Sequence, residues 1–170
     1  MDYTVIYSDR KTISLSVKNG VITVRAPRRT SRSFIENFIK KNTRFIETHL
    51  PREMARTEKY RSLTDADILR LKKEARKYFL TKTQEYSNIM GLKHSRITIT
   101  SAKTRFGSCS SKGNISFSYR LMLYPEPARE YVVVHELAHL VQMNHSKSFY
   151  AIIEKTLPDF RERKKLLYEL

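Results

Sequence analysis

Residues 131–143 read YVVVHELAHLVQM, an apolar stretch that carries two histidines and one glutamate. Pro125 and Pro127 precede it, and proline is tolerated in the first turn of a helix. The stretch is apolar on nearly every side, which is typical of a buried helix rather than one on the surface. The sequence therefore predicts a buried helix that brings polar side chains into the core.

His135 and His139 are four residues apart, so they lie on one face of that helix and can direct two imidazole nitrogens at one point. Zinc binds imidazole nitrogen at about 2.0–2.1 Å in a tetrahedral arrangement. Glu136 lies about 100° around the helix from His135, where its carboxylate can reach a metal-bound water without being a ligand. Buried polar groups without partners are costly. The pattern therefore predicts a metal site with Glu136 as the general base.

A catalytic zinc ion usually has three protein ligands and one open position. His145 is the most direct candidate for the third ligand, provided that the helix ends near Asn144 and the chain folds back there. Asn144 tolerates the left-handed conformation that such a turn uses. Two alternatives stay open: Glu154 is the third ligand, or His145 is a free surface residue. The expected cofactor is one Zn²⁺ held by three histidines and water, with another divalent metal as the alternative.

The rest of the chain alternates between strand and helix patterns. Asn19-Gly20 between alternating apolar residues predicts a β-hairpin within 12–26, with a further strand at 3–7. Apolar spacing predicts a helix over 33–49 that Pro51 ends. The remaining predicted elements are a linker at 52–62, a helix over 65–90 that ends at Gly91, a small antiparallel sheet within 96–123, a helix over 147–156 with Ser146 as N-cap, and a terminal helix over 160–170.

These elements indicate an α+β protein in which an N-terminal β-hairpin and helices precede a core made of a small sheet and the HExxH helix. We expect two domains, residues 1–62 and residues 63–170. The chain has 170 residues, enough for one compact domain or for a core with a small appendage.

Composition limits the class of partner. Lys and Arg number 33 and Asp and Glu 17, for a net charge of +16, and no acidic residue lies between Glu85 and Glu126. Such a basic chain attracts anionic partners. No apolar run approaches the roughly 20 residues of a membrane span, and no secretory signal is visible. The single cysteine, Cys109, excludes an internal disulfide, so we expect a cytoplasmic protein with neither a membrane nor a disulfide-linked partner.

Five short blocks carry a family resemblance: residues 104–115 (TRFGSCSSKGNI), 119–121 (YRL), 132–140 (VVVHELAHL), 144–146 (NHS) and 149–150 (FY). Together they resemble the YgjP-like metallopeptidase family, small metal-dependent hydrolases related to the SprT-like zincins. The resemblance covers residues 96–153 most closely. It implies a zincin-like core in which His135, His139 and His145 bind zinc and Glu136 is the general base. Phe106, Tyr119 and Tyr150 stand where that family commonly has tryptophan.

The leading functional interpretation is a zinc metallopeptidase in which Glu136 activates a metal-bound water. One alternative is a metal-dependent nucleotide or phosphate hydrolase of the pyrophosphatase type, which the basic charge favours. Another is a nucleic-acid-associated protein with a structural metal, although structural zinc sites are usually rich in thiolates. Arg105, Tyr119 and Arg120 are candidates for stabilising an oxyanion. The strand at 114–119 is expected to form the upper edge of the cleft, where an extended peptide can pair.

Overall fold

The structure is a computed structural model that describes residues 2–168. The chain forms two compact units, the first up to Ser62 and the second from Leu63. Each unit has its own cluster of buried apolar side chains. Within the described residues, no helix combines the length and the hydropathy that a membrane span requires.

The first unit contains a three-stranded sheet in the order β1-β3-β2, made of β1 (Thr4–Ser8), β2 (Ser14–Lys18) and β3 (Val21–Pro27). The predicted hairpin is confirmed: β2 and β3 are antiparallel, and Asn19 and Gly20 both have positive φ, 53° and 75°. This conformation is what a tight turn between twisted strands requires. The expected strand at the N-terminus is β1, which pairs with β3 in parallel.

Two helices follow where one was predicted, α1 (Arg32–Lys41) and α2 (Thr43–Arg61). The prediction that Pro51 ends a helix and that 52–62 form a linker is wrong, because Pro51 lies inside α2. Pro51 is exposed, so the carbonyl that loses its helical donor can be hydrated. Glu53, two residues later, accepts a hydrogen bond of 2.9 Å from the Asn19 backbone N–H and contacts Arg56 at 2.6 Å. The hydrogen bond from Asn19 ties the second half of α2 to the hairpin turn, while the contact with Arg56 lies within α2.

The second unit begins with α3 (Asp65–Met90), whose bounds are those predicted. Thr64 caps it by accepting from the Asp67 N–H, and Gly91 closes it in the left-handed conformation at φ 66°. The buried face of α3 packs on a second sheet, where the rings of Phe79 and Phe117 stack with centroids 4.6 Å apart. Burying rings of this size contributes about 1.5–3 kcal/mol each, so this contact holds helix and sheet together.

The second sheet has the order β4-β6-β5, made of β4 (Ile97–Thr100), β5 (Gly107–Cys109) and β6 (Ile115–Ser118). The α+β class is confirmed, but the sheet is mixed rather than antiparallel: β5 pairs antiparallel to β6, while β4 pairs parallel to it. The reason is the path of the chain. After β4 it crosses to the far side of the sheet, runs back through β5, and then turns into β6, which lies between the other two strands. Consequently β6 is the central strand and β5 lies at an edge.

Three helices complete the second unit, α4 (Glu126–Ala138), α5 (Lys147–Thr156) and α6 (Phe160–Lys165). A 3₁₀ turn at Tyr119–Leu123 connects β6 to α4, and another at Leu166–Tyr168 follows α6. Pro125 and Pro127 open α4 as predicted, and Ser146 caps α5 by accepting from the Phe149 N–H. α4 crosses the core of the unit, with Val133, Val134 and Leu137 fully buried. The predicted buried helix is therefore confirmed.

Candidate metal centre

α4 ends earlier than expected. Its last helical residue is Ala138, and His139 is the C-cap with helix-like dihedrals of φ −66° and ψ −17°. Val141 and Met143 are 56% and 54% exposed, so the apolar stretch leaves the core there rather than continuing as a buried helix to Met143. Because His139 keeps helical dihedrals, it still lies one turn beyond His135 on the same face.

The turn after α4 does not use a left-handed Asn144. Within residues 2–168, Asn19 is the only non-glycine residue with positive φ. The Asn144 side chain makes the turn instead: its Oδ1 accepts from Gln142 Nε2 at 2.8 Å and from the Ser146 N–H at 3.2 Å. A short polar side chain that bonds the backbone two residues later is a common way to reverse the chain. The bend places His145 against the end of α4.

The three histidines form one cluster. Each offers a ligand nitrogen, and these nitrogens all lie within 4.8 Å of one another. The Nε2 atoms of His135 and His145 are 3.2 Å apart. The buried ring of Phe149, from α5, lies beneath all three imidazoles, with ring centroids 4.5–4.9 Å away. Glu154, the alternative third ligand, is instead exposed and contacts Arg161 at 3.8 Å.

Hydrogen bonds orient two of the rings. Nδ1 of His139 is 3.0 Å from the Gln142 carbonyl, which can only accept, so this nitrogen carries the proton and Nε2 is left as a lone-pair donor. Nδ1 of His135 is 3.4 Å from the Tyr131 hydroxyl, whose oxygen can accept in the same way. Burial, the two neighbouring imidazoles and the charge of Lys164 lower the pKa of His135 to about 3. His135 is therefore neutral, which is the state that ligates a metal.

This geometry fits a zinc ion. Two nitrogens bound to one tetrahedral zinc at about 2.0–2.1 Å stand about 3.3–3.4 Å apart. The 3.2 Å between the Nε2 atoms of His135 and His145 is close to that separation. Three imidazoles whose nitrogens converge are also a donor set that suits zinc.

Glu136 is a buried carboxyl group beside the cluster. Its side chain belongs to a residue that is 4% exposed, and its Oε2 has no hydrogen-bond partner among the described residues. Burial raises the pKa of Glu136 to about 8, against the opposing charge of Arg105. A Cβ added at Gly107 would stand 2.6 Å from Glu136 Oε1. The carboxylate thus packs directly on the backbone of β5, at a position where only glycine leaves space.

A cavity of about 400 Å³ opens beside the cluster. His135, Glu136 and His145 contribute to its wall. The other lining residues come from the start of β5 and the residue before it, from α4, α5 and α6, and from the 3₁₀ turn after α6: Phe106, Gly107, Tyr131, Val132, Tyr150, Lys164, Leu167 and Tyr168. Phe106 and Tyr150, two of the three residues that stand where the family commonly has tryptophan, are therefore in this wall.

The three oxyanion candidates lie in different surroundings. Arg105 is exposed, and its charge reaches Glu136. Tyr119 is 1% exposed and stacked under the Arg120 guanidinium, 4.7 Å from the ring centroid. Arg120 is buried and donates to the Ser101 carbonyl at 2.6 Å. Arg120 therefore ties the 3₁₀ turn to the segment that follows β4, and neither Arg120 nor Tyr119 is among the residues that line the cavity.

Sequence reasoning missed Gly107, Tyr131 and Lys164. Tyr131 had a usable signal, since it precedes His135 by four residues and so shares its helical face. Gly107 begins β5 and meets Glu136 only because the sheet packs on α4, which no local pattern around Gly107 indicates. Lys164 is far from the motif in sequence and reaches the cavity only because α6 packs against α4. The packing of distant helices is not encoded in any local pattern.

One family profile and one solved structure are similar to parts of this chain. Residues 65–170 match the sequence profile of the YgjP-like metallopeptidase domain. Among solved structures, the chain is similar to the metallopeptidase zymogen abylysin of Pyrococcus abyssi, with 27% sequence identity, 52% of this chain and 87% of that chain covered, and a TM-score of 0.46. No curated protein matches the chain. Because the profile match covers more than half of the chain, the chain belongs to the YgjP-like metallopeptidase family, and the expected class of metal-dependent hydrolase is confirmed.

Proposed function

We propose that residues 63–170 form a zinc peptidase in which His135, His139 and His145 hold the ion and Glu136 transfers the proton. The observation that carries the proposal is the convergence of the three imidazoles, with two Nε2 atoms 3.2 Å apart, beside a buried carboxylate. Zinc is proposed over other divalent ions because all three donors are imidazole nitrogens, which suit it best.

A bound zinc ion supplies Lewis acidity, which polarises a peptide carbonyl and makes water more acidic. Glu136 accepts the proton that the attacking water loses and returns it to the departing amine. Without the metal, burial raises the pKa of Glu136 to about 8, and the positive charge of a bound ion would lower it towards the range in which the carboxylate accepts a proton at neutral pH. Tyr131 and the Gln142 carbonyl hold the His135 and His139 rings in place.

The substrate strand is proposed to pair with β5 rather than with β6, because β6 is the central strand. Phe106 O accepts from the Ser118 N–H at 2.7 Å, and the Ser110 N–H donates to Asn114 O at 2.9 Å. In an antiparallel pair the direction of the backbone groups alternates, so those of Gly107 and Cys109 point away from β6. An extended peptide can bond to these groups next to Glu136. Arg105, at the start of this edge, is the candidate that remains for stabilising the oxyanion.

The test combines metal analysis with turnover. We expect about one zinc per chain, cleavage of casein-derived peptides by the wild type, and a loss of about 10²–10⁴-fold in kcat for Glu136→Gln with zinc retained. Glu154→Gln is the matched control, because it makes the same chemical change on an exposed glutamate outside the cluster, and it should keep both zinc and activity.

His145→Ala separates the third ligand from its alternatives. If His145 is a ligand, its removal lowers zinc affinity by more than tenfold, whereas Glu154→Gln does not change it. Full zinc affinity in His145→Ala would overturn the proposed ligand set. Activity retained in Glu136→Gln would exclude that residue as the base. Hydrolysis of nucleoside triphosphates without any peptide cleavage, abolished by Glu136→Gln, would replace the peptidase by a phosphate hydrolase.

A further inference from the structure

Lys164 introduces a positive charge into the cavity beside the histidine cluster. It lies on α6, is half-buried, and lines the cavity together with His135, Glu136 and Tyr150. Its ammonium nitrogen stands 5.7 Å from the centre of the Tyr150 ring, a contact that holds the side chain against α5. The same lysine also borders a neighbouring cavity with Lys147 and Arg161, so the surface that leads away from the cluster is basic.

No carboxylate in the described part of the chain forms an ion pair with Lys164. The nearby acidic groups have other partners: Asp159 and Glu130 contact Arg163 at 2.8 and 2.6 Å, and Glu154 contacts Arg161 at 3.8 Å. Glu136 is the only acidic residue among the described residues of the cavity wall, and the proposed mechanism already uses it. Within residues 2–168, Lys164 is thus a cation without an acidic partner in a partly enclosed space.

Such a charge is unfavourable beside a site for a divalent cation. Like charges repel more strongly where burial lowers the local dielectric, so a bound zinc ion would increase the cost of the Lys164 charge. A substrate that brought its own negative charge to this position would remove that cost. Ammonium groups recognise carboxylates as compact point charges, and the flexible lysine side chain can adjust its reach.

We propose that Lys164 is a specificity residue that binds a substrate carboxylate close to the scissile peptide bond. The carboxylate comes either from an Asp or Glu side chain or from the C-terminus of the substrate, since both present the same group. This inference rests on the proposed peptidase function and adds the substrate class: peptides that are acidic next to the cleaved bond. The tyrosines of the cavity wall, Tyr131, Tyr150 and Tyr168, flank that position.

The test uses peptides that differ only in this carboxylate. After the bonds cleaved in casein have been mapped, matched peptides carry Glu or Gln beside the cleaved bond, and a free or an amidated C-terminus. We expect wild-type kcat/KM to favour one acidic member by roughly tenfold, as a hydrogen bond to a charged group provides. Lys164→Met should bring this ratio close to one, and Lys164→Arg should restore most of it. A preference within the Glu and Gln pair identifies a side-chain carboxylate, and a preference within the free and amidated pair identifies the C-terminal carboxylate.

Lys165→Met is the matched control, because it removes the same charge from the next residue of α6, where the side chain is exposed. It should keep the wild-type ratio. A merely structural role for Lys164 would lower the turnover of acidic and neutral peptides alike and leave their ratio unchanged. That result, or an equal wild-type preference for both members of each pair, would overturn the inference.

Binding measurements separate this inference from the peptidase proposal. Calorimetry with the zinc-loaded Glu136→Gln protein measures peptide affinity without turnover. The acidic peptide should bind roughly tenfold more tightly than its neutral partner, and addition of Lys164→Met should remove that difference. Preferential binding without cleavage by the wild type would contradict the peptidase function and leave the carboxylate site intact. Cleavage by the wild type without preferential binding of the acidic peptide would contradict the carboxylate site and leave the peptidase function intact.

Discussion

At the scale of single residues, the contact between Gly107 and Glu136 links the sheet to the proposed chemistry. Glu136 Oε2 has no hydrogen-bond partner among the described residues, which is costly for a buried carboxyl group. The backbone of β5 holds this group in one place because Gly107 has no side chain. A carboxylate that is buried, constrained and poorly satisfied is suited to proton transfer and poorly suited to stabilising the fold.

Gly107→Ala tests this contact. The new Cβ would stand 2.6 Å from Glu136 Oε1, so the carboxylate or β5 must shift. We expect kcat to fall at least tenfold and the free energy of unfolding to fall by about 1–3 kcal/mol. Peptide turnover and urea unfolding followed by circular dichroism measure the two effects.

The control for this variant is Gly91→Ala. Gly91 also requires glycine, because its φ is 66°, but a Cβ there would meet nothing within 4 Å. Alanine at this position should cost about 1–2 kcal/mol of stability through backbone strain alone and leave kcat unchanged. If both variants lost activity in proportion to stability, the Gly107 contact would have no special role in the site.

At the scale of secondary-structure elements, Glu130 ties three helices of the second unit together. From α4 it contacts Lys82 of α3 at 2.9 Å and Arg163 of α6 at 2.6 Å. Burial raises the pKa of Glu130, but the hydrogen bonds and charges of Lys82 and Arg163 outweigh this effect, so the pKa is lowered overall. The network positions α6, and with it Lys164, against the helix that carries His135.

Glu130→Gln should lower the free energy of unfolding at pH 7 by about 1–3 kcal/mol, because two half-buried cations each lose the closest of their carboxylate partners. A group whose pKa is lower in the folded state stabilises the fold above its unfolded value, 4.5, and loses that contribution as the pH falls through the folded value. The wild type should therefore lose stability more steeply than Glu130→Gln below about pH 4.5. Urea unfolding at a series of pH values, with hydrogen exchange of α4 amides, measures this.

The comparison for Glu130 is Glu74→Gln, which removes an exposed carboxylate that contacts Arg70 at 3.2 Å. Exposed ion pairs of this kind contribute about 0–1 kcal/mol. Equal pH profiles for Glu130→Gln and Glu74→Gln would mean that the network around Glu130 does not hold the helices together.

The same scale explains which elements could be predicted. α3 and α5 were located correctly because their ends carry local signals, Gly91 and the Ser146 cap. The end of α2 was not predicted, because a proline usually ends a helix. Only the contact between Glu53 and the hairpin turn indicates that α2 continues past Pro51. The parallel pairing of β4 with β6 depends on a crossover, which alternating hydrophobicity does not report.

The candidate site divides in the same way. The spacing of His135, Glu136 and His139 within one helix is a local property, so the sequence alone indicated them. The position of His145 was anticipated, but the turn that produces it uses the side chain of Asn144 and not a left-handed backbone. Lys164 depends on long-range packing of α6 and could not be read from any pattern.

At the scale of the whole molecule, the net charge of +16 acts on any anionic substrate before contact. A field of this kind raises the rate of encounter, and salt screens it over a Debye length of about 10 Å at 0.1 M and about 3 Å at 1 M. The local contact proposed for Lys164 is shorter in range and partly shielded from solvent. Salt should therefore separate attraction by the whole chain from recognition inside the cavity.

Raising NaCl from about 0.05 to about 0.5 M should lower kcat/KM several-fold for acidic peptides and leave it nearly constant for neutral ones, since only the former are steered. The ratio of kcat/KM for acidic over neutral peptides that remains at high salt measures the contact with Lys164. In Lys164→Met the salt dependence should remain, because one charge is removed from a large excess, while the high-salt preference disappears. Steady-state kinetics on the matched peptides measure both quantities. If acidic and neutral peptides responded equally to salt, the effect would lie in the protein or its metal rather than in steering, and the basic surface would have no part in selecting the substrate.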